Sequence, residues 1–184
     1  GARVFAQTEI APHAARWERE QSGVPAGVLR DMASLGYFGM LVPPVLGGSG
    51  LDMLSYALVT EEFAAADCGL TNLMNVSNSP VSTALRDHGT AAQHARWLAP
   101  LARGELRGCF LLTESHAGSD AAAITTRAQR RGEHWVLNGA KHFVTAGASA
   151  QLAMIIAVTD THAGKRGITA FLAPTDTPGY RVAR

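Results

Sequence analysis

Apolar positions follow a helical period over roughly the first 105 residues of this chain and a two-residue, strand-like rhythm after that. Val28, Leu29, Met32 and Leu35 share one helical face, with Pro25 near its start and Gly36 as its stop, which predicts a helix between them. The stretch Pro43 to Gly50 (PPVLGGSG) is dense in breakers and predicts a loop. Ser49 followed by Asp52 points to a capping box for a helix running to about Ala66. That helix is apolar on several sides (Met53, Leu54, Ala57, Leu58, Phe63), the pattern of a buried central element, and Glu61-Glu62 reads as its charged rim. Further helices are predicted over residues 71 to 88, with a break near Pro80, and over 90 to 103, where Trp97, Leu98 and Leu101 share a face.

Beyond Arg107 the runs are short. Cys109 to Thr113, Thr125 to Gln129, His134 to Leu137, His142 to Thr145, Leu152 to Val158 and Ile168 to Leu172 read as strands. Asn138-Gly139 predicts a type I′ hairpin turn, because both central residues of that turn need positive φ. Leu152 to Val158 is apolar at every position, so both its faces should be covered. The predicted fold class is α+β. An N-terminal all-α helical domain over 1–105 is followed by a mainly antiparallel β-barrel-like domain over 106–184.

Composition narrows the class without naming a partner. The 184 residues are 47% apolar and 17% charged, an ordinary globular composition. Lys plus Arg number 16 and Asp plus Glu 15, so no net field would draw nucleic acid or an anionic membrane. No apolar run approaches the roughly 18 residues needed to span a bilayer, and no basic stretch followed by an apolar core marks a secretory signal. Cys68 and Cys109 lack metal-like spacing and read as free thiols of a reducing compartment. The seven histidines are scattered singly, which gives no metal site. The first residue is Gly1 rather than Met, with a helix already under way by Arg3, so the chain is expected to be part of something longer.

The candidate chemistry lies in two segments, Phe110 to Asp120 (FLLTESHAGSD) and Asn138 to Gly147 (NGAKHFVTAG). Gly118, in the turn Ala117-Gly118-Ser119, lets a ligand approach the backbone, and successive N–H groups there can cradle a phosphate. Ser119 adds a hydroxyl, whereas Asp120 reads as a turn or cap residue. Thr113 offers a hydroxyl beside Phe110 and Leu112. In the second segment Phe143 supplies an aromatic wall, Val144 a branched spacer and Thr145 another hydroxyl. Together they suit a flat heteroaromatic ligand with a phosphate tail. Arg127, Arg130 and Arg131, which precede Gly132-Glu133, could meet phosphates, but a solvated hairpin tip is the preferred reading.

These stretches, with EIAPHAARWERE, LGYFGMLVPPVLGGSGLD and GTAAQHARWLAPLARGE, resemble the acyl-CoA dehydrogenase family from about residue 3 to 184. The resemblance implies FAD as cofactor, α,β-dehydrogenation of an acyl-CoA thioester and hydride transfer to flavin N5. It implies that Phe110, Leu112, Thr113, Gly118 and Ser119 contact the flavin ring and pyrophosphate, with Ser119 also at the acyl-CoA end. Phe143-Val144-Thr145 matches the family's usual Trp-Ile-Thr, with the Thr145 hydroxyl facing flavin N5 and Phe143 lacking the indole donor. Ser115-His116 replaces a frequent Pro-Gly, and His116 reads as a solvated loop residue. The implied partners are an electron-transfer flavoprotein and further copies of the protein, as a dimer or tetramer, in bacterial cytoplasm or the mitochondrial matrix.

No residue present matches the family's carboxylate base, so no catalytic residue is assigned. The base and the bundle that closes over the flavin are expected outside this chain. The chain alone is expected to leave apolar surface uncovered, to bind FAD weakly and not to turn over acyl-CoA. The polar run Asn75, Asn78 and Ser79 mildly favours a short, branched or polar acyl group. Two other readings stay open: a flavin-dependent monooxygenase or oxidase of the same fold, and a non-catalytic binding module derived from it.

Overall fold

Asp52, Asp67 and Thr90 cap helices in the first compact unit, Gly1–Arg107; the structure is a computed structural model that describes residues 1–183. Helix α1 (Ala2–Phe5) continues through a π-helical turn, Ala6–Ile10, into α2 (Ala11–Glu20). Helix α3 (Ala26–Ser34) starts just after Pro25 and is followed by Gly36 at φ 78°, the predicted stop. Helix α4 (Met53–Ala66) does not use the predicted capping box. Asp52 is its N-cap, accepting from Ser55 N at 2.7 Å, while the Ser49 hydroxyl donates to Gly36 O at 3.3 Å. The Asp52 carboxylate reaches a free first-turn N–H directly, and Ser49 ties down the preceding loop.

The helix predicted over 71 to 88 starts earlier, as α5 (Cys68–Val76), because Asp67 caps it through Leu70 N at 2.9 Å. It breaks where expected. Across Ser77–Ser82 the backbone of Ser79 is extended (φ −145°, ψ 123°) ahead of Pro80, and α6 (Thr83–His88) follows. Thr90 and Gln93 form a reciprocal capping box for α7 (Ala91–Gln93), which runs through a π-helical turn into α8 (Ala99–Ala102). Leu98 and Leu101 are fully buried on its inner face.

The core of this unit gathers Ile10, Met32, Phe38, Phe63 and Met74. Phe63 sits edge-on to Tyr37 at 4.8 Å between ring centroids and is stacked on Phe5 at 5.8 Å. Asn78, wholly buried, bonds three backbone groups: its Oδ1 accepts from Met40 N (2.8 Å), and its Nδ2 donates to Tyr37 O (2.7 Å) and Met74 O (3.1 Å). Asn75 accepts from the Tyr56 hydroxyl at 2.8 Å. The amides of Asn75 and Asn78 are therefore engaged inside the helical unit, whereas Ser79 is exposed. Helix α4 also departs from expectation: Met53, Leu54 and Leu58 are 64%, 69% and 54% exposed, so only its Phe63 side enters the core. Its rim is as read, with Glu62 paired to Arg3 at 2.6 Å.

From Gly108 onward the second unit is a mixed five-stranded sheet. Strand β4 (Leu152–Val158) is its centre. One edge of β4 carries β5 (Ile168–Pro174), antiparallel over its full length. The other carries β1 (Gly108–Leu111), parallel, and then β2 (Arg127–Arg131) at the single pair Arg127–Val158. Strand β3 (His134–Asn138) extends the sheet antiparallel to β2. The longest ladders are thus antiparallel, and Leu152, Ala153 and Met154 are buried as the uninterrupted apolar run requires.

Two local predictions fail here. The β2–β3 hairpin turns at Gly132-Glu133, with Gly132 at φ 60°, and Asn138 merely ends β3. Gly139 is required for a different reason: a Cβ there would lie 2.8 Å from Thr126 Cα and collide with the Thr126 side chain. The segment His142 to Thr145 is not a strand but a loop, with Phe143 at φ 56° and Ala146 at φ 62°. Arg130 and Arg131 stand exposed beside the Gly132-Glu133 turn, as the solvated-tip reading expected, with Arg127 exposed at the far end of β2.

Candidate functional site

The two segments singled out in the sequence meet in the second unit through a buried ion pair. Glu114 follows β1 by three residues and is 5% exposed. Its Oε1 accepts from Lys141 Nζ (2.8 Å) and Thr126 N (2.9 Å), and its Oε2 from Thr125 N (2.7 Å) and the Thr125 hydroxyl (2.8 Å). Lys141 Nζ also donates to Leu112 O at 2.8 Å, and His142 N donates to Thr113 O at 2.8 Å. Four donors on one carboxylate explain why Thr125 and Thr126 leave the strand predicted to begin at Thr125. Their N–H groups serve Glu114, and β2 starts only at Arg127.

Burial alone would push the Glu114 carboxyl up. The hydrogen bond from Lys141 and those from the Thr125 and Thr126 backbone outweigh it and hold the group well below the usual carboxylate range. His116 Nε2 stands 3.8 Å from the same carboxylate and makes its own hydrogen-bond contact with Ala123 O at 3.2 Å. A lowered folded-state pKa contributes stability that is complete above the unfolded value of 4.5 and drains away as pH falls from there through the folded value. Glu114→Gln should therefore destabilise the second unit by an amount that is constant from neutral pH to about 4.5 and shrinks below it. Urea unfolding of both forms across that range checks this; a difference independent of pH down to strongly acid solution would contradict it.

The predicted site residues distribute as follows. Phe110 lies in β1 opposite Met154, half-buried. Leu112 and Ser119 come together on a cleft of about 420 Å³ that also has Ile156, Lys165 and Ile168 in its walls. Glu114 and Ala117 bond to each other's backbone (2.9 and 3.1 Å), which tightens the turn and uses the Ala117 N–H. Gly118 and Ser119, next along, are exposed, and a Cβ on Gly118 would meet nothing within 4 Å. Asp120 caps the short 3₁₀ turn Ala121–Ala123 through Ala122 N at 3.2 Å, as its reading as a cap residue expected.

Thr113 is joined to the second segment by its carbonyl, through His142. One residue on, Phe143 is 93% exposed on a left-handed backbone. Val144 and Ala146 pack on the cluster of Cys109, Leu111, Ala150 and Ala153, which anchors the loop on either side of Thr145. An aromatic side chain with positive φ and almost no intramolecular cover is costly on both counts. Such a residue is retained where something else covers it.

Glu114 and Lys141 carry no role in the sequence pattern alone. The available signal is their opposite charge, with Glu114 directly after Thr113 in one run and Lys141 two residues before Phe143 in the other.

The chain belongs to the acyl-CoA dehydrogenase family, a family of oxidoreductases: residues 1–105 match the model of its N-terminal domain and 109–184 that of its middle domain. It is 38% identical over 182 residues to the mitochondrial short-chain specific acyl-CoA dehydrogenase of Mus musculus, covering 99% of this chain and 44% of that protein. Among solved structures it resembles butyryl-CoA dehydrogenase of Megasphaera elsdenii (TM-score 0.87, 36% identity, 97% of this chain and 47% of that one). It also resembles a glutaryl-CoA dehydrogenase of Mycobacterium smegmatis in complex with FADH2 (TM-score 0.88, 36% identity, 97% and 44%). The chain thus spans less than half the length of these relatives.

Proposed function

We propose that this chain is the N-terminal and middle portion of an FAD-dependent acyl-CoA dehydrogenase acting by α,β-dehydrogenation of a thioester. Phe143 carries the reading: a fully presented ring, on strained backbone, beside the anchored Thr113–Glu114 turn. In the proposed site Phe143 stacks on the flavin ring, and Thr113 and Thr145 bond its polar edge from either side. Phe110 and Leu112 supply the apolar wall, and Val144 holds the loop down. Gly118 and Ser119 receive the pyrophosphate, with the Ser119 hydroxyl extending to the acyl-CoA. The open space at Gly118 and the cleft beside Ser119 fit a bulky phosphorylated ligand.

Bound FAD supplies the acceptor for a hydride leaving the acyl β carbon. The residues of this chain bind and orient that acceptor. Neither carboxylate of the two segments suits the α proton: Glu114 is saturated with donors and held ionised, which makes it a weak base, and Asp120 is committed to a cap. The base is therefore proposed to come from polypeptide outside these 184 residues. An electron-transfer flavoprotein as acceptor, self-association, and a bacterial cytoplasmic or mitochondrial setting accompany this reading.

Titrating the purified chain with FAD, FMN and riboflavin tests it through flavin fluorescence. Quenching that follows FAD in preference to the other two is expected, because the proposed contacts of Gly118 and Ser119 with a pyrophosphate are missing in riboflavin and incomplete in FMN. Equal or absent responses would overturn the assignment.

A further inference from the structure

Beside the residues proposed to meet the flavin lies a buried, oppositely charged pair, Glu114 and Lys141. We propose that the Glu114–Lys141 pair is a positioning device: it sets the Lys141–Gly147 loop, with Phe143 and Thr145, at a defined distance from the Leu112–Ser119 turn. The flavin consequences below rest on the proposed function; the positioning itself does not.

Glu114 and Lys141 are the only oppositely charged side chains among the described residues that are joined with both partners about 5% exposed or less. The Lys141 ammonium makes two bonds of 2.8 Å, to the Glu114 carboxylate and to Leu112 O, and both lie in the first segment. The backbone bond from His142 N to Thr113 O adds a third tie between the same two short stretches. Glu114 in turn holds Thr125 and Thr126, and Thr126 O accepts from Val158 N at 2.8 Å, which connects the node to the end of β4. The start of the loop thus takes its position from the first segment through the Glu114 carboxylate and the carbonyls of Leu112 and Thr113.

On its far side the loop is held differently. Val144 and Ala146 pack on the Cys109 cluster, and the Tyr180 hydroxyl donates to Gly147 O at 2.9 Å. The charged, buried tie lies at the Lys141 end. Phe143 and Thr145 lie two and four residues from that anchor, and the left-handed backbone at Phe143 persists only if the flanking chain is constrained. A buried ion pair is weak evidence of stability, since two desolvated charges roughly offset their attraction. Placing one here makes sense as a device that accepts a single register, because any shift leaves a charge unpaired.

The test uses Lys141→Met, Lys141→Arg and the paired Glu114→Gln/Lys141→Met, which leaves no lone buried charge and keeps a folded protein available. Hydrogen exchange is read at His142 and across residues 142 to 149, with the β4–β5 amides as internal reference. The proposal expects about a tenfold loss of protection in the loop, with the β4–β5 amides little changed, in Lys141→Met and in the paired variant. Lys141→Arg should recover most of it. A uniform fall across the whole sheet, or no local change, would reduce the pair to a general stabiliser and overturn the proposal.

A second measurement carries the consequence to the ligand. FAD affinity of the folded paired variant should fall about tenfold, and bound-flavin fluorescence anisotropy should drop, because a loosened wall no longer presents its ring in one place. If the native chain binds FAD and the paired variant binds it equally with the same anisotropy, the positioning inference is wrong. If the native chain binds no FAD, the flavin reading fails while the exchange result still decides the positioning role.

Discussion

Asn78→Leu is expected to destabilise the helical unit by about 3 kcal/mol or more, enough to leave much of it unfolded at moderate urea. The side chain is wholly buried and satisfies Met40 N–H, Tyr37 C=O and Met74 C=O at 2.7–3.1 Å. Leucine fills a similar volume, so the loss is not a cavity. It is the stranding of three backbone groups away from water, at about 1–3 kcal/mol for each group left unsatisfied. Asn78→Asp should cost at least as much at neutral pH, since a buried carboxylate without a cation would face the Tyr37 and Met74 carbonyl oxygens, and the cost should ease in acid as the carboxyl takes up a proton and can donate to one of them. Urea unfolding followed by helix circular dichroism measures both. A leucine variant as stable as the native chain would show that water replaces the amide, and that the α5–α6 break is not held by Asn78.

Phe143→Ala is expected to do the reverse: little to stability and much to binding. The ring is 93% exposed, and its described ring contact is a tilted approach to His142 at 6.2 Å between centroids. Unfolding free energy should therefore move by no more than about 0.5 kcal/mol. Affinity for FAD should fall about tenfold or more, since stacking a heteroaromatic ring on an aromatic side chain contributes about 1–3 kcal/mol. Phe143→Gly separates the two effects further. It loses the same stacking but relieves the positive φ, and should raise stability by up to about 1 kcal/mol. Isothermal titration with FAD alongside urea unfolding gives both quantities; undiminished affinity in Phe143→Ala would remove the observation on which the proposed function rests.

Signals that depend on neighbours in sequence were legible. Helix stops at Gly36 and near Pro80 and the central strand Leu152 to Val158 follow from φ preference, ring geometry and unbroken apolarity, all local properties. Legibility ended where a distant residue competed for the same groups. Asn138-Gly139 has the composition of a hairpin turn, yet the structure needs that glycine for clearance against Thr126, thirteen positions upstream, and the hairpin turns at Gly132-Glu133 instead. His142 to Thr145 has strand-forming residues, but anchoring by Lys141 and His142 to the Leu112–Thr113 backbone takes the chain out of the sheet. The apolar surround of α4 predicts burial on several sides, whereas Phe63 enters the core and Met53, Leu54 and Leu58 are exposed.

By itself the sequence determined the helical and β halves, the family and the segments that carry the candidate chemistry. These rest on periodicity, turn residues and short ordered motifs, which need no partner far along the chain. Only the tertiary structure decided that Asn78 serves the helical core rather than a ligand, that Phe143 is presented on a loop, and that Glu114 and Lys141 join the two segments. Each of those outcomes is settled by a hydrogen bond or a steric limit between residues far apart in the chain. The free energy of such a contact depends on burial and geometry that no local pattern encodes.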